Sequence, residues 1–189
     1  AFYQQLKTGA FQSLYLFEGE EEYGKESALA ALRKALLTGP MAMMNESVLT
    51  APADSELIAA CETLPLMESR RLVIVREAPQ LAGRGREKAE DEEANDEEPS
   101  RKGDSLTPYL ARLPETVCLV FFVRGKARAN SRLYKKIREL GGLVAFDQLD
   151  NERLIKWICR EFAAYNLACD RPVAERLVFA CGRELMKLK

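Results

Sequence analysis

Apolar residues follow two rhythms along this chain. Some form short uninterrupted runs, and others recur every three or four positions over longer stretches. The runs are "SLYLFEG" at 13–19, "RRLVIVREA" at 70–78, "VCLVFFV" at 117–123 and "GLVAF" at 142–146, and the more polar "ESVLTA" at 46–51 takes a strand's place in the same alternation. Continuous apolar runs of this length are the mark of strands covered on both faces. Between them, Leu29, Leu32 and Leu36 give helical spacing over 21–38, ending near Gly39-Pro40. Asp54 or Ser55 is placed to cap a helix with Leu57, Cys61 and Leu64 on one face, stopped by Pro65. A helix over 104–113 precedes "VCLVFFV", and Leu133, Ile137 and Leu140 set another before "GLVAF". Strands and helices in alternation predict an α/β fold, a parallel five-stranded sheet with helices on both faces.

Beyond Phe146 the runs stop. Ile155, Ile158, Phe162 and Tyr165 share one face of a helix beginning at Asp150 or Asn151. Asp170-Arg171-Pro172 opens a second helix with Val173, Leu177 and Cys181 inward, Gly182 breaks it, and 184–189 has the pattern of a third helix cut short. Two domains are expected: an α/β domain over 1–148 and a small α-helical domain over 149–189. The latter is expected to be incomplete at its C-terminal end, in a natural chain that is longer.

One segment follows neither rhythm. Residues 83–105, "GRGREKAEDEEANDEEPSRKGDS", are nearly devoid of large apolar side chains. They cannot bury enough surface to offset the entropy of ordering, and read as a mobile solvated insert. An acidic interaction tail is the alternative. The insert also hides a charge asymmetry. The chain has 28 bases against 29 acids, but Glu90, Asp91, Glu92, Glu93, Asp96, Glu97 and Glu98 crowd together there, leaving 28 bases against 22 acids elsewhere.

The overall composition, 47% apolar and 30% charged, is that of a soluble globular protein. No apolar run approaches the ~18 residues of a membrane span, and "AFYQQLKTGAF" lacks the order of a signal peptide, so a cytoplasmic location is expected. Cysteines 61, 118, 159, 169 and 181 are odd in number, form no C-x-x-C, and read as reduced core thiols. With no histidine at all, the usual zinc site and a histidine-based triad are excluded as readings.

Three stretches carry candidate chemistry. In "EGEEEYGKES" (18–27), Gly19, Gly24 and Lys25 match the phosphate-binding loop G-x-x-x-x-G-K-[ST], but Glu26 stands in place of the metal-binding hydroxyl. Glu20, Glu21 and Glu22 lie inside the loop, so four carboxylates would confront a polyanion. At ~4 Å and an effective dielectric of ~20, each like-charge contact costs about 4 kcal/mol. The partner element of such a site is an apolar strand ending in aspartate; "LVIVREA" puts Arg76 there and keeps only Glu77. Both halves of the metal site are missing, and neither a bound cofactor nor a competent ATPase site is expected.

The second stretch is Leu66-Met67, preceded by Leu64-Pro65 and followed by Glu68, Ser69 and Arg70. Pro65 ends the helix before it, which leaves two large apolar side chains in a connection of the kind that runs over the surface. An apolar pair with a polar rim is the form of an interface anchor; the alternative is that both residues tuck beneath the sheet. The third is an acid-free run of cations, Arg124, Lys126, Arg128, Arg132, Lys135, Lys136 and Arg138. It suits contact with phosphates or with a neighbouring subunit, and equally suits the solvated face of a helix whose Leu133 and Ile137 point inward.

The order of "YLFEGEEEY" (15–23), "LPLMESRRLVIVREA" (64–78), "LPETVCLVFFVRGKARANSRLYKKI" (113–137) and "FDQLDNERLIKWI" (146–158) resembles the delta subunit of the bacterial DNA polymerase III clamp loader. The resemblance covers nearly the whole chain apart from the acidic insert. It implies a P-loop-NTPase-like first domain of AAA+ type that does not use nucleotide, a lid-type helical second domain, and a helical collar absent here. The implied partners are the sliding clamp (beta subunit), other clamp-loader subunits, and primed DNA within the assembly. Such a chain has no activity of its own, though it belongs to the DNA polymerase III holoenzyme, a DNA-directed DNA polymerase. The glycine loop is then an inherited scaffold turn.

The family's clamp contact, an apolar pair at the tip of the first domain, falls on Leu66 and Met67. The family commonly has Leu-Phe there; Met67 departs from the aromatic form, and a flexible thioether fills irregular pockets. The alternatives are a nucleotide-dependent AAA+ ATPase acting through Gly19, Gly24 and Lys25, and a DNA-binding module acting through 124–138.

Overall fold

The computed structural model describes residues 2–81 and 105–188, so the acidic insert, save Ser105, lies outside the described residues. Five strands, β1 (Leu14–Glu18), β2 (Glu46–Thr50), β3 (Arg71–Arg76), β4 (Val117–Phe122) and β5 (Leu143–Ala145), form one sheet in the order β2-β3-β4-β1-β5. Every pairing is parallel; at its centre Leu16 faces Phe121 on one side and Leu143 on the other. All of β1 and β4 is buried, which is why their sequences read as unbroken apolar runs.

Successive side chains of each strand enter opposite layers. Leu14, Leu16, Val73, Val75, Leu119 and Phe121 pack against α3 (Asp54–Glu62), α4 (Leu106–Leu110) and α5 (Arg132–Glu139) through Leu57, Cys61, Leu106, Leu110, Leu133 and Ile137. Tyr15, Phe17, Leu72, Ile74, Val120 and Phe122 pack against α1 (Phe2–Thr8) and α2 (Glu22–Leu36) through Phe2, Ala28, Leu29, Leu32 and Leu36. Helix α1 has no counterpart in the periodicity analysis. Its one deeply buried side chain, Phe2, meets Tyr15 and Phe17 edge-on at 5.4 and 5.2 Å between ring centroids.

After β5 come α6 (Asn151–Ala164), α7 (Arg171–Cys181) and α8 (Leu185–Leu188). They share an apolar cluster of Leu154, Ile155, Trp157, Ile158, Ala174 and Leu185, and Tyr23 of α2 packs edge-on against Trp157 at 5.5 Å. Asp150 and Asp170 cap α6 and α7 by accepting from the amides of Arg153 and Val173 at 2.8 and 3.1 Å.

Four expectations about helix faces need correction. Helix α3 has Ala53 at its cap position; Asp54 is its first residue, and its carboxylate accepts from Gln80 Nε2 at 3.0 Å. Leu64 lies past the end of α3 and is 77% exposed. Leu140 and Tyr165 are cap residues beyond the last turns of α5 and α6, and both are exposed. In α7, Val173 and Cys181 point outward while Ala174, with Leu177 and Val178, points inward. One residue is a 100° turn on a helix, so the inward stripe is set by where α6 lies.

The cysteines divide by depth. Cys61 and Cys118 are buried, and burial pushes both thiols up to about 12; Cys181 is exposed, contrary to a core role. A thiol of that acidity is about one part in ten thousand thiolate at pH 8, and the thiolate is the nucleophile. Iodoacetamide at pH 8 is therefore expected to label Cys181 first and to spare Cys61 and Cys118 until the protein is denatured, as read by peptide mass spectrometry. Equal labelling rates for Cys118 and Cys181 would contradict this core.

Candidate functional sites: a closed phosphate loop, an apolar tip and a basic edge

The turn from β1 into α2 is closed by its own side chains. Gly19 has φ +116°, its amide donates to Gly125 O at 2.7 Å, and a Cβ there would stand 2.2 Å from Phe146 O. The Glu21 amide donates to Phe146 O at 3.0 Å, and the Glu21 carboxylate accepts from the Tyr23 amide at 3.2 Å. Burial holds that carboxyl above the ordinary range, against the amide hydrogen bonds of Tyr23 and Gly24. The Lys25 side chain is fully buried; Nζ donates to Glu22 Oε1 at 2.6 Å and Val123 O at 2.7 Å, and lies 5.3 Å from the Phe122 ring centroid.

The two misfit residues meet. Arg76 donates from Nη1 to Glu26 Oε1 at 2.9 Å and from Nη2 to Glu26 Oε2 at 3.3 Å, with its guanidinium 4.6 Å from the Phe122 ring centroid. The position that would bind a metal through a hydroxyl is thus ion-paired with the position that would bind it through an aspartate. Among the described residues no group of three or more Cys, Asp or Glu side chains is arranged to hold a metal ion.

At the opposite end of the sheet the connection from α3 to β3 forms a tip. Leu66 and Met67 are 48% and 78% exposed there and enter neither layer of the core, and Met67 is left-handed at φ +55°. The loop is held from beneath by Asn45, a residue the sequence analysis did not single out. Asn45 is buried at the end of the short 3₁₀ turn Ala42–Asn45. Its Oδ1 accepts from the Leu66 amide at 2.6 Å, and its Nδ2 donates to Leu66 O at 2.8 Å and Met41 O at 3.2 Å.

The residues flanking the pair divide by role. Glu68 accepts from the Gly39 amide, and Arg70 Nη1 donates to Phe11 O at 3.0 Å, so both turn back to the body. Pro65 is half-buried, and Leu64 and Ser69 are exposed. Met43 and Met44, on the neighbouring turn, are also exposed.

The cations follow the C-terminal end of β4 and run along α5. Arg124, Lys126, Arg128, Arg132, Lys135 and Arg138 are exposed, while Lys136 is half-buried and pairs with Glu139 at 3.1 Å. The buried Glu18 carboxylate fixes the start of this segment by accepting from the Ala127 amide at 2.9 Å and the Tyr134 hydroxyl at 3.1 Å. Because β3 and β4 are parallel and each six residues long, the tip before β3 and the start of the basic segment after β4 stand about 20 Å apart at opposite ends of the sheet.

A parallel sheet ordered β2-β3-β4-β1-β5, with a glycine loop leading from its first strand into a helix, has the layout of a P-loop-type α/β fold. The model of the family described as "DNA polymerase III, delta subunit" matches residues 15–146, and the chain belongs to that family. Among solved structures it is similar to the Bacillus subtilis DNA clamp loader delta protein, with 22% identity and a TM-score of 0.74 over 99% of this chain and 53% of that one. A second similarity is to a DNA polymerase III gamma subunit-related protein from Thermotoga maritima, with 16% identity and a TM-score of 0.42 over 99% of this chain and 57% of that one. The chain therefore spans about half the length of the solved structures it matches. Among curated proteins there is no significant match. No helix among the described residues is long and apolar enough to cross a membrane.

Proposed function

We propose that this chain is a non-catalytic clamp-loader subunit that binds the DNA sliding clamp and holds its ring open for loading at primed DNA. The observation that carries this reading is the exposed Leu66–Met67 pair, presented on a loop whose backbone is fixed by a buried side chain. Membership of the delta-subunit family supports this choice of partner. In this mechanism the two side chains enter an apolar pocket on the clamp, and the rigid sheet behind them favours the ring conformer whose surface matches. A ligand shifts such an equilibrium only by its differential affinity for the two states, so all opening energy comes from this contact and its surroundings. The subunit works in the cytoplasm within an assembly whose other members use ATP, its residues 1–148 and 149–189 acting as an α/β domain and a lid-type helical domain.

The phosphate loop plays no part in this step. Lys25 Nζ already has two oxygen partners in a buried site, and Glu26 and Arg76 satisfy each other. Millimolar Mg-ATP is therefore expected to leave the thermal midpoint unchanged, since a ligand stabilises only in proportion to RT ln(1 + [L]/Kd). A rise of several degrees would favour the nucleotide-dependent ATPase reading instead.

The deciding experiment is surface-plasmon binding of the full-length protein to the sliding clamp of the same organism, with a salt series. Saturable binding that varies little with salt is expected for an apolar anchor. Absence of binding would end the proposal. Affinity for primed DNA falling steeply with salt would favour action through Arg124, Lys126, Arg128, Arg132, Lys135 and Lys136.

A further inference from the structure

We infer that Asn45 is a positioning residue that joins the methionine turn at 41–44 to the Leu66–Met67 loop as one docking surface, and that the methionines touch the same partner as Leu66 and Met67. This rests on the clamp-binding reading and extends it to a second segment of the chain.

The two connections are cross-linked by three sets of side-chain-to-backbone hydrogen bonds, and a fourth ties the turn to itself. Asn45 brackets the Leu66 residue, accepting from its amide and donating to its carbonyl, as a neighbouring strand would. It also donates to Met41 O. Glu68 accepts from the Gly39 amide just before the turn, and Arg71 Nη1 donates to Met44 O at 3.1 Å just after the loop. A buried carboxamide with both ends used fixes orientation as well as distance, because exchanging its oxygen and nitrogen would oppose like groups.

What this frame holds is apolar. Met43 is 91% exposed and Met44 62%, on a turn bonded to the loop that carries the exposed Leu64, Leu66 and Met67. None of these side chains belongs to the described core clusters. Grouped exposed apolar side chains of this size mark a contact surface, and methionine suits one that must adapt to its partner. Met67 is held at a left-handed φ, a conformation that persists only where surrounding bonds over-determine it. The occupant is the apolar cleft of the clamp that receives Leu66 and Met67, because the methionine turn is continuous with that pair through Asn45. Holding the surface in its bound form removes an ordering cost from association.

The test measures the Kd of the full-length protein for the purified clamp with Asn45→Ala and with Met43→Ser/Met44→Ser. Each is expected to weaken binding about tenfold. The methionine variant should keep the wild-type melting temperature, since both side chains are solvent-facing. A positioning role adds one signature: on a Leu66→Ala background, Asn45→Ala should weaken binding much less than it does alone.

An unchanged Kd in either folded variant, or full additivity with Leu66→Ala, overturns the inference. If Asn45→Ala does not fold, the methionine variant still decides. Loss of binding in Leu66→Ala/Met67→Ala with no effect of the methionine variant leaves the proposed function standing and removes only this extension. Failure of wild type to bind the clamp removes both.

Discussion

Replacing Leu66 and Met67 together by alanine is expected to abolish micromolar clamp binding while leaving the melting temperature within about 2 °C of wild type. Both side chains are largely in solvent, and neither contributes to the three described core clusters, so folding has little to lose. Binding has much to lose, because central apolar anchors carry most of an interface's energy, each truncation costing about 2 kcal/mol or more. Two such losses amount to about 4 kcal/mol, or roughly a thousandfold in Kd. Size-exclusion co-elution with the clamp would show the loss directly, and differential scanning calorimetry would show that the fold is kept. A double variant that binds like wild type would move the contact elsewhere. The basic segment would then be the next place to look, and the salt series distinguishes it.

Much of this architecture is legible in the sequence for a definite reason. Strands covered on both faces need an apolar side chain at nearly every position, so β1, β3 and β4 stand out from their surroundings. Helix α1 does not stand out, because a seven-residue helix that deeply buries only Phe2 has no period to detect. The inward stripe of α7 is displaced by one residue from the reading because Leu177 fits either choice, and only the position of α6 selects Ala174 over Val173.

The site divides in the same way. Glu26 and Arg76 each break a motif visibly, yet that they break it together depends on β3 ending beside α2. Lys25 finds its carbonyl partner at Val123, 98 residues along the chain. Asn45 has no local signature, since the group it serves is a backbone amide on another loop. Apolar burial leaves a periodic mark on the chain itself; a hydrogen bond between distant loops leaves none.

Gly19→Ala is expected to destabilise the protein by about 3 kcal/mol or more, lowering the melting temperature by roughly 6 to 12 °C. The added methyl carbon would stand 2.2 Å from Phe146 O and 2.5 Å from Phe146 C, backbone atoms that cannot rotate away. That carbonyl accepts from the Glu21 amide, and the Phe146 amide donates to Glu18 O at 2.8 Å, so relief of the clash must open the junction between β1 and the end of β5. Gly125→Ala provides the contrast. Gly125 also has positive φ, at +66°, but nothing lies within 4 Å of its missing Cβ, so about 1 kcal/mol is expected from backbone strain alone.

Comparing the two variants by thermal melting separates conformation from contact. A larger effect at Gly19 means that the first glycine of the phosphate loop is required by the sheet it closes. Its presence beside Lys25 then needs no nucleotide to explain it. Equal effects, or a Gly19→Ala protein that melts like wild type, would remove that structural account and reopen the nucleotide reading of this loop.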